Sequence, residues 1–174
     1  MTPENISATA AVATFIVIAA TAIAAIIQLR HLRQSNQLDA LLAILRMPYD
    51  PVLHEAFEFI HTELPSLLND PDFMHLLDTS PINRKAHKEL WVLDYYERIG
   101  AYLKANLVDA AIYLDSSSPE RYWNALKPVI KRMRDRSGPW IYENFEYLVF
   151  LARRWDDQHP EGNYPRSASR LSLD

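Results

Sequence analysis

The stretch ATAAVATFIVIAATAIAAII, Ala8 to Ile27, decides the architecture of this 174-residue chain. No charged side chain interrupts Asn5 to Leu29, and within the apolar run only Thr9, Thr14 and Thr21 are polar. A helix rises about 1.5 Å per residue, so some twenty residues reach roughly 30 Å, the hydrocarbon thickness of a bilayer. Each threonine hydroxyl can bond back to its own helix backbone, which makes it tolerable in lipid. The reading is a transmembrane helix over residues 8–29, preceded by a short extracytoplasmic N-terminus, 1–7.

Charge gives this helix a direction. Glu4 is the one charged side chain ahead of the run, whereas Arg30 and Arg33 follow it. A cleaved signal peptide carries its positive charge in front of the apolar segment, so a retained anchor is expected. The positive-inside bias then places everything beyond Arg30 in the cytoplasm. Ala19, Ala20, Ala22, Ala24 and Ala25 either form a small-residue face for another membrane helix or simply make a weakly hydrophobic span.

Working outward, no proline or glycine interrupts Glu4 to Met47, so the helix is expected to continue past the membrane, with Leu38, Leu41, Leu42 and Leu45 as a one-sided stripe. Asp50-Pro51 is a cap followed by proline at the first helical position, and starts a helix to Leu64. Its apolar side is Leu53, Ala56, Phe57, Ile60 and Leu64, and Pro65 stops it. Asp70 caps a short helix, Pro71 to Leu77. Ser80-Pro81 is read as the start of a longer helix to about Ala105, with Val92, Tyr96, Ile99 and Leu103 on one face. Gly100 is costly inside a helix and marks a close helix crossing.

Leu107 to Leu114 adds a short helix, and Ser118-Pro119 starts one to about Arg136 that contains Pro128. The last helix, Pro139 to Trp155, is apolar over a wide arc and should sit centrally. Alternating strand patterns are absent. The fold class is therefore all-α: one transmembrane helix continuing into a cytosolic bundle of about five to six helices, 30–155, with a flexible polar tail, 156–174.

Composition excludes several functions. The net charge of -4 argues against nucleic acid as a partner. The absence of cysteine removes disulfides, thiolate metal sites and cysteine nucleophiles. Three scattered glycines, Gly100, Gly138 and Gly162, cannot build a phosphate-cradling loop.

Three constellations remain. His54, Glu58 and His61 stand at i, i+4 and i+7 on one helix face, and Glu58 to His61 has the Glu-x-x-His spacing of di-iron bundles. That face lies about 100° round from the apolar one, so a solvated polar face is the stronger reading of this weak metal candidate. Asp94, Glu97 and Arg98, among Tyr95, Tyr96 and Tyr102, suit acid–base work but read better as a network that fixes helix register. Lys127, Lys131 and Arg134 share a face, with Arg132 and Arg136 beside them. That face suits anionic lipid headgroups or an acidic partner, and equally suits water at a helix C-terminus.

Leu93-Asp94-Tyr95-Tyr96-Glu97-Arg98-Ile99-Gly100, Arg121-Tyr122-Trp123, Leu126-Lys127-Pro128-Val129-Ile130 and Tyr142-Glu143-Asn144-Phe145-Glu146-Tyr147-Leu148 together resemble a bacterial domain-of-unknown-function family. Its members are short proteins with an N-terminal membrane helix and an all-helical cytosolic domain. The resemblance covers about Ala11 to Arg154 and implies a place in the bacterial inner membrane. It carries over no catalytic residue.

These readings converge on a non-enzymatic, single-pass accessory or scaffold subunit of a larger membrane complex, bioenergetic or transport, with no cofactor. Its expected partners are the bilayer, other membrane subunits and anionic lipid headgroups. A membrane-linked signalling or sensing module is the alternative, and a metal-dependent enzyme using His54, Glu58 and His61 stands behind both.

Overall fold

Helix α1 spans Pro3–Arg46 in the computed structural model, which describes residues 3–165 and 167–172. The side chains of residues 4–11, the first two residues of the expected N-terminal segment and the last two of the expected tail lie outside the described residues. The chain divides into two units, Met1–Asp39 and Ala40–Asp174.

In the first unit, Phe15, Ile16, Val17, Ile18, Ile23, Ile26 and Ile27 are all exposed. A stretch within Val12–Tyr49 is long and apolar enough to cross a membrane, and none of it is covered by the protein. The Thr21 hydroxyl donates to the Val17 carbonyl at 2.8 Å, so it is satisfied within its own helix.

The second unit begins in the last turns of α1. Ile44 is fully buried there, and Ala40 and Leu41 pack against the core. This corrects the expected stripe: Leu42 and Leu45 stay exposed, as does Leu38, while the buried face is Ala40, Leu41 and Ile44. A one-turn 3₁₀ helix, Met47–Tyr49, leads into α2 (Pro51–Thr62). Asp50 caps α2 by accepting from the Val52 and Leu53 amides, and Pro51 lacks the amide that the first turn would leave unpaired.

Helix α2 ends at Thr62, two residues before the expected Leu64, and Pro65 lies in the first turn of a single-turn helix, α3 (Leu64–Leu67), where its missing amide is tolerated. Asp70 caps α4 (Pro71–Leu76) in the manner of Asp50, through the Asp72 and Phe73 amides. The other helices are α5 (Glu89–Lys104), α6 (Ala110–Asp115), α7 (Pro119–Ser137) and α8 (Glu143–Gln158). No strand occurs among the described residues. The all-α class holds, with four long helices and three short ones after α1.

Helix α5 starts eight residues later than its proline signal suggests. The Asn83 side chain accepts from the Lys85 amide, and its carbonyl accepts from Ala86 and His87, so residues 83–87 close as a turn. A local side-chain bond has outcompeted the helix, the usual behaviour of asparagine.

Helix α5 packs on α2, α7 and α8, and α7 also packs on α8. The core they enclose holds Leu90, Leu93, Ile99, Leu126, Ile130, Phe145 and Leu148, all fully buried. The wide apolar arc of α8 is thus used on two sides, as its patterning requires.

Rings join four of these helices. Tyr96 stacks on Phe145 at 4.7 Å between centroids, and Trp123 meets Phe145 edge-on at 5.2 Å. Phe57 is half-buried, but it contacts Tyr95, Tyr96 and Tyr122. Phe59, absent from the expected apolar side of α2, is buried. Such edge-on and offset contacts add about 0.5–1.5 kcal/mol per pair beyond the area buried. Beyond α8, the Asn163 side-chain amide donates to Asp115 at the end of α6 at 2.7 Å.

Candidate functional site

The motif Asp94 to Gly100 forms the joint between α5 and α8. A Cβ built on Gly100 lies 1.9 Å from the Asn144 carbonyl oxygen. The expected close crossing is real, and the neighbour is backbone. One turn away, the Glu97 carboxylate accepts from the Asn144 side chain at 2.7 Å and from the Phe145 amide at 2.9 Å. It therefore caps α8 from another helix and places a negative charge where the dipole favours one.

Tyr142, just before α8, has φ +56, and its own side chain makes no cap. Its hydroxyl donates to Asp94 at 3.4 Å, and the other Asp94 oxygen pairs with Arg84 at 2.6 Å. The geometry contains the register-fixing reading for Asp94 and Glu97, whereas Arg98 is exposed and takes no part in an ion pair among the described residues.

Desolvation pushes the Tyr95, Tyr96, Tyr113 and Tyr142 phenols above their ordinary range. They stay protonated and act as donors and ring surfaces. Replacing Glu97 by alanine should cost about 1–3 kcal/mol, the loss of a charge-assisted cap. Urea unfolding checks it, and Glu97→Gln, which keeps one acceptor, should fall between.

The His54, Glu58 and His61 face does not converge. His54 and Glu58 approach to 3.6 Å with both side chains 68% exposed. His61 turns away, 3.5 Å from the Tyr122 hydroxyl and 3.3 Å from the Arg121 guanidinium. Among the described residues, no group of three or more histidine and carboxylate side chains is placed to hold a metal ion.

The α7 cations are mostly engaged within the fold. Arg134 donates to the Ile141 carbonyl at 2.9 Å and to Glu146 at 2.8 Å, which ties α7 to the start of α8. Arg136 donates to the Leu77 and Thr79 carbonyls, and Arg132 makes an ion pair with Asp78. Lys131 pairs with Asp135 one turn on, at 2.6 Å, and Arg153 pairs with Glu120. Lys127 is exposed and has no carboxylate partner among the described residues. The expected basic surface is therefore largely neutralised, because its partners come from the loop after α4, from α8 and from α7 itself.

The Arg132 guanidinium beside Asp78 holds that carboxyl below its ordinary value of 3.8, aided by His75. A depressed carboxyl stabilises the fold above its unfolded pKa, and the gain is lost as pH falls through the folded value. Asp78→Asn should thus lower the melting temperature at neutral pH and converge on the parent as the pH falls below the ordinary carboxyl range, as melting curves against pH will read.

One pair escaped the sequence reading. His87 Nδ1 and Glu89 Oε1 lie 2.6 Å apart, and both side chains are fully buried. The His87 ring packs on Phe73 at 4.3 Å. His87 Nε2 and Glu89 Oε2 have no hydrogen-bond partner among the described residues. Two residues apart at a helix start, they read as ordinary surface polar groups, and nothing local announces their burial.

No curated protein matches this chain, and no solved structure does. The motifs that build the α5–α8 joint nevertheless lie within one family model, which covers residues 15–155. The chain belongs to the family described as Domain of unknown function (DUF4760).

Proposed function

We propose that this protein is an accessory or scaffold subunit of a larger assembly in the bacterial cytoplasmic membrane, held there by α1 with its helical domain in the cytoplasm. One observation carries the reading. The apolar stretch of α1 is left entirely uncovered by its own chain. A surface of that size is stable only against lipid or other protein.

A signal sequence passes the same test of length and composition, but its positive charge precedes the apolar run. Here Glu4 precedes it, and Arg30 and Arg33 follow. The same charges orient the domain inward.

The scaffold role draws support from what the fold does with its polar residues. Asp94, Glu97, Arg134 and Arg136 hold helices together. Meanwhile Trp140, Phe150 and Ile112 stay exposed for partners. Blue-native electrophoresis after mild detergent extraction tests the reading. A species well above the size of a small homo-oligomer, carrying other membrane subunits by mass spectrometry, is expected. Migration only as a monomer or small homo-oligomer overturns it.

A further inference from the structure

We infer that a groove between the end of α1, the start of α2 and α5 binds an amphipathic anion: a phosphate head carried on a short hydrocarbon. The groove encloses about 630 Å³ and lies wholly within the second unit. Its apolar wall includes Met47, Leu53, Trp91 and Tyr95. Arg46 enters from α1 and Arg98 from α5.

The electrostatics of this groove are asymmetric. Its two carboxylates are already committed: Asp50 caps α2, and Asp94 holds Arg84 and the Tyr142 hydroxyl. Arg46 and Arg98 are exposed, and neither has an ion-pair partner among the described residues. The groove thus sets two guanidiniums that lack ion-pair partners among the described residues against apolar walls. On α7, by contrast, Arg132, Arg134 and Lys131 are paired with Asp78, Glu146 and Asp135.

A guanidinium offers a planar fork of donors that matches phosphate oxygens, and two of them suit a phosphate monoester better than one. Ligand sites commonly combine an apolar lining with a few charged groups that fix orientation. The hydrocarbon would lie along Trp91, Leu53 and Met47. A phospholipid and a free phosphorylated metabolite share this chemistry. The site does not depend on α1 crossing a membrane.

The test uses the full chain in maltoside micelles, with dodecyl phosphate, dodecyl maltoside and inorganic phosphate as probes. Dodecyl phosphate should raise the melting temperature saturably, and added dodecyl maltoside should not. Arg46→Gln with Arg98→Gln should weaken dodecyl phosphate binding by about tenfold or more per arginine, on the scale of charge-assisted bonds. The melting temperature without ligand should stay unchanged, since neither side chain has a structural partner. Lys127→Gln with Lys131→Gln serves as the control and should bind like the parent.

Competition by phosphatidic acid nanodiscs, whose headgroup is a phosphate monoester, but not phosphatidylcholine ones, identifies a lipid as the source. Competition by millimolar inorganic phosphate alone identifies a soluble phosphate. Equal binding by the parent and the double arginine variant overturns the inference, as does a loss confined to the α7 variant.

Discussion

Gly100→Ala is expected to destabilise the domain by about 2 kcal/mol, although helix propensity alone argues for the opposite sign. Alanine gains about 1 kcal/mol over glycine in a helix interior. Against that, the new methyl carbon would sit 1.9 Å from the Asn144 oxygen and 2.5 Å from its carbonyl carbon. Both atoms are backbone, so no rotamer change relieves the clash, and α8 has to move. Overpacking costs about 1–3 kcal/mol, and an immovable neighbour puts this case at the top of that range. Displacing α8 would also draw the Phe145 amide away from Glu97 and disturb the Tyr96–Phe145 stack. Chemical denaturation of the detergent-solubilised protein reads the effect. A variant as stable as the parent, or more stable, would falsify the close backbone approach.

The second large effect concerns His87 and Glu89. Removing one member of a buried pair strands the other without water or partner, which costs about 3–5 kcal/mol. His87→Leu and Glu89→Leu should each do this, because both side chains are fully buried and joined at 2.6 Å. The double variant should recover most of the loss, since an apolar pair of similar volume is often neutral or better in such a place. Two further atoms, His87 Nε2 and Glu89 Oε2, lack partners among the described residues and add to the desolvation cost of the native pair. A double-mutant cycle by urea unfolding reads the coupling. Losses that merely add would mean the two side chains do not depend on each other.

Much of the helical frame was readable from local signals. Asp50-Pro51 and Asp70-Pro71 set two helix starts because capping and proline chemistry act within one turn. Gly100 announced a close crossing because nothing else justifies a glycine there. What failed depended on distant partners. Ser80-Pro81 looked like a helix start, but Asn83 closed a turn instead. The last helix begins at Glu143 and not at Pro139, because its cap is Glu97 on another helix. The α7 cations looked free because Asp78 lies 54 residues from Arg132. Arg98 reads in the sequence as part of the Asp94–Glu97 cluster and Arg46 as part of α1, and only the fold sets the two around one groove.

The borrowed cap on α8 has a kinetic and thermodynamic corollary. A helix whose second and third amides, Asn144 and Phe145, are met by a carboxylate on α5 has no complete terminus of its own. Its left-handed Tyr142 entry is costly and is held by contact with Asp94 on that same helix. Helix α8 should therefore neither nucleate alone nor fray alone. In native-state hydrogen exchange its amides should share one opening free energy with those of α5, as a single cooperative unit. An excised peptide of residues 139–158 should be mostly coil in water.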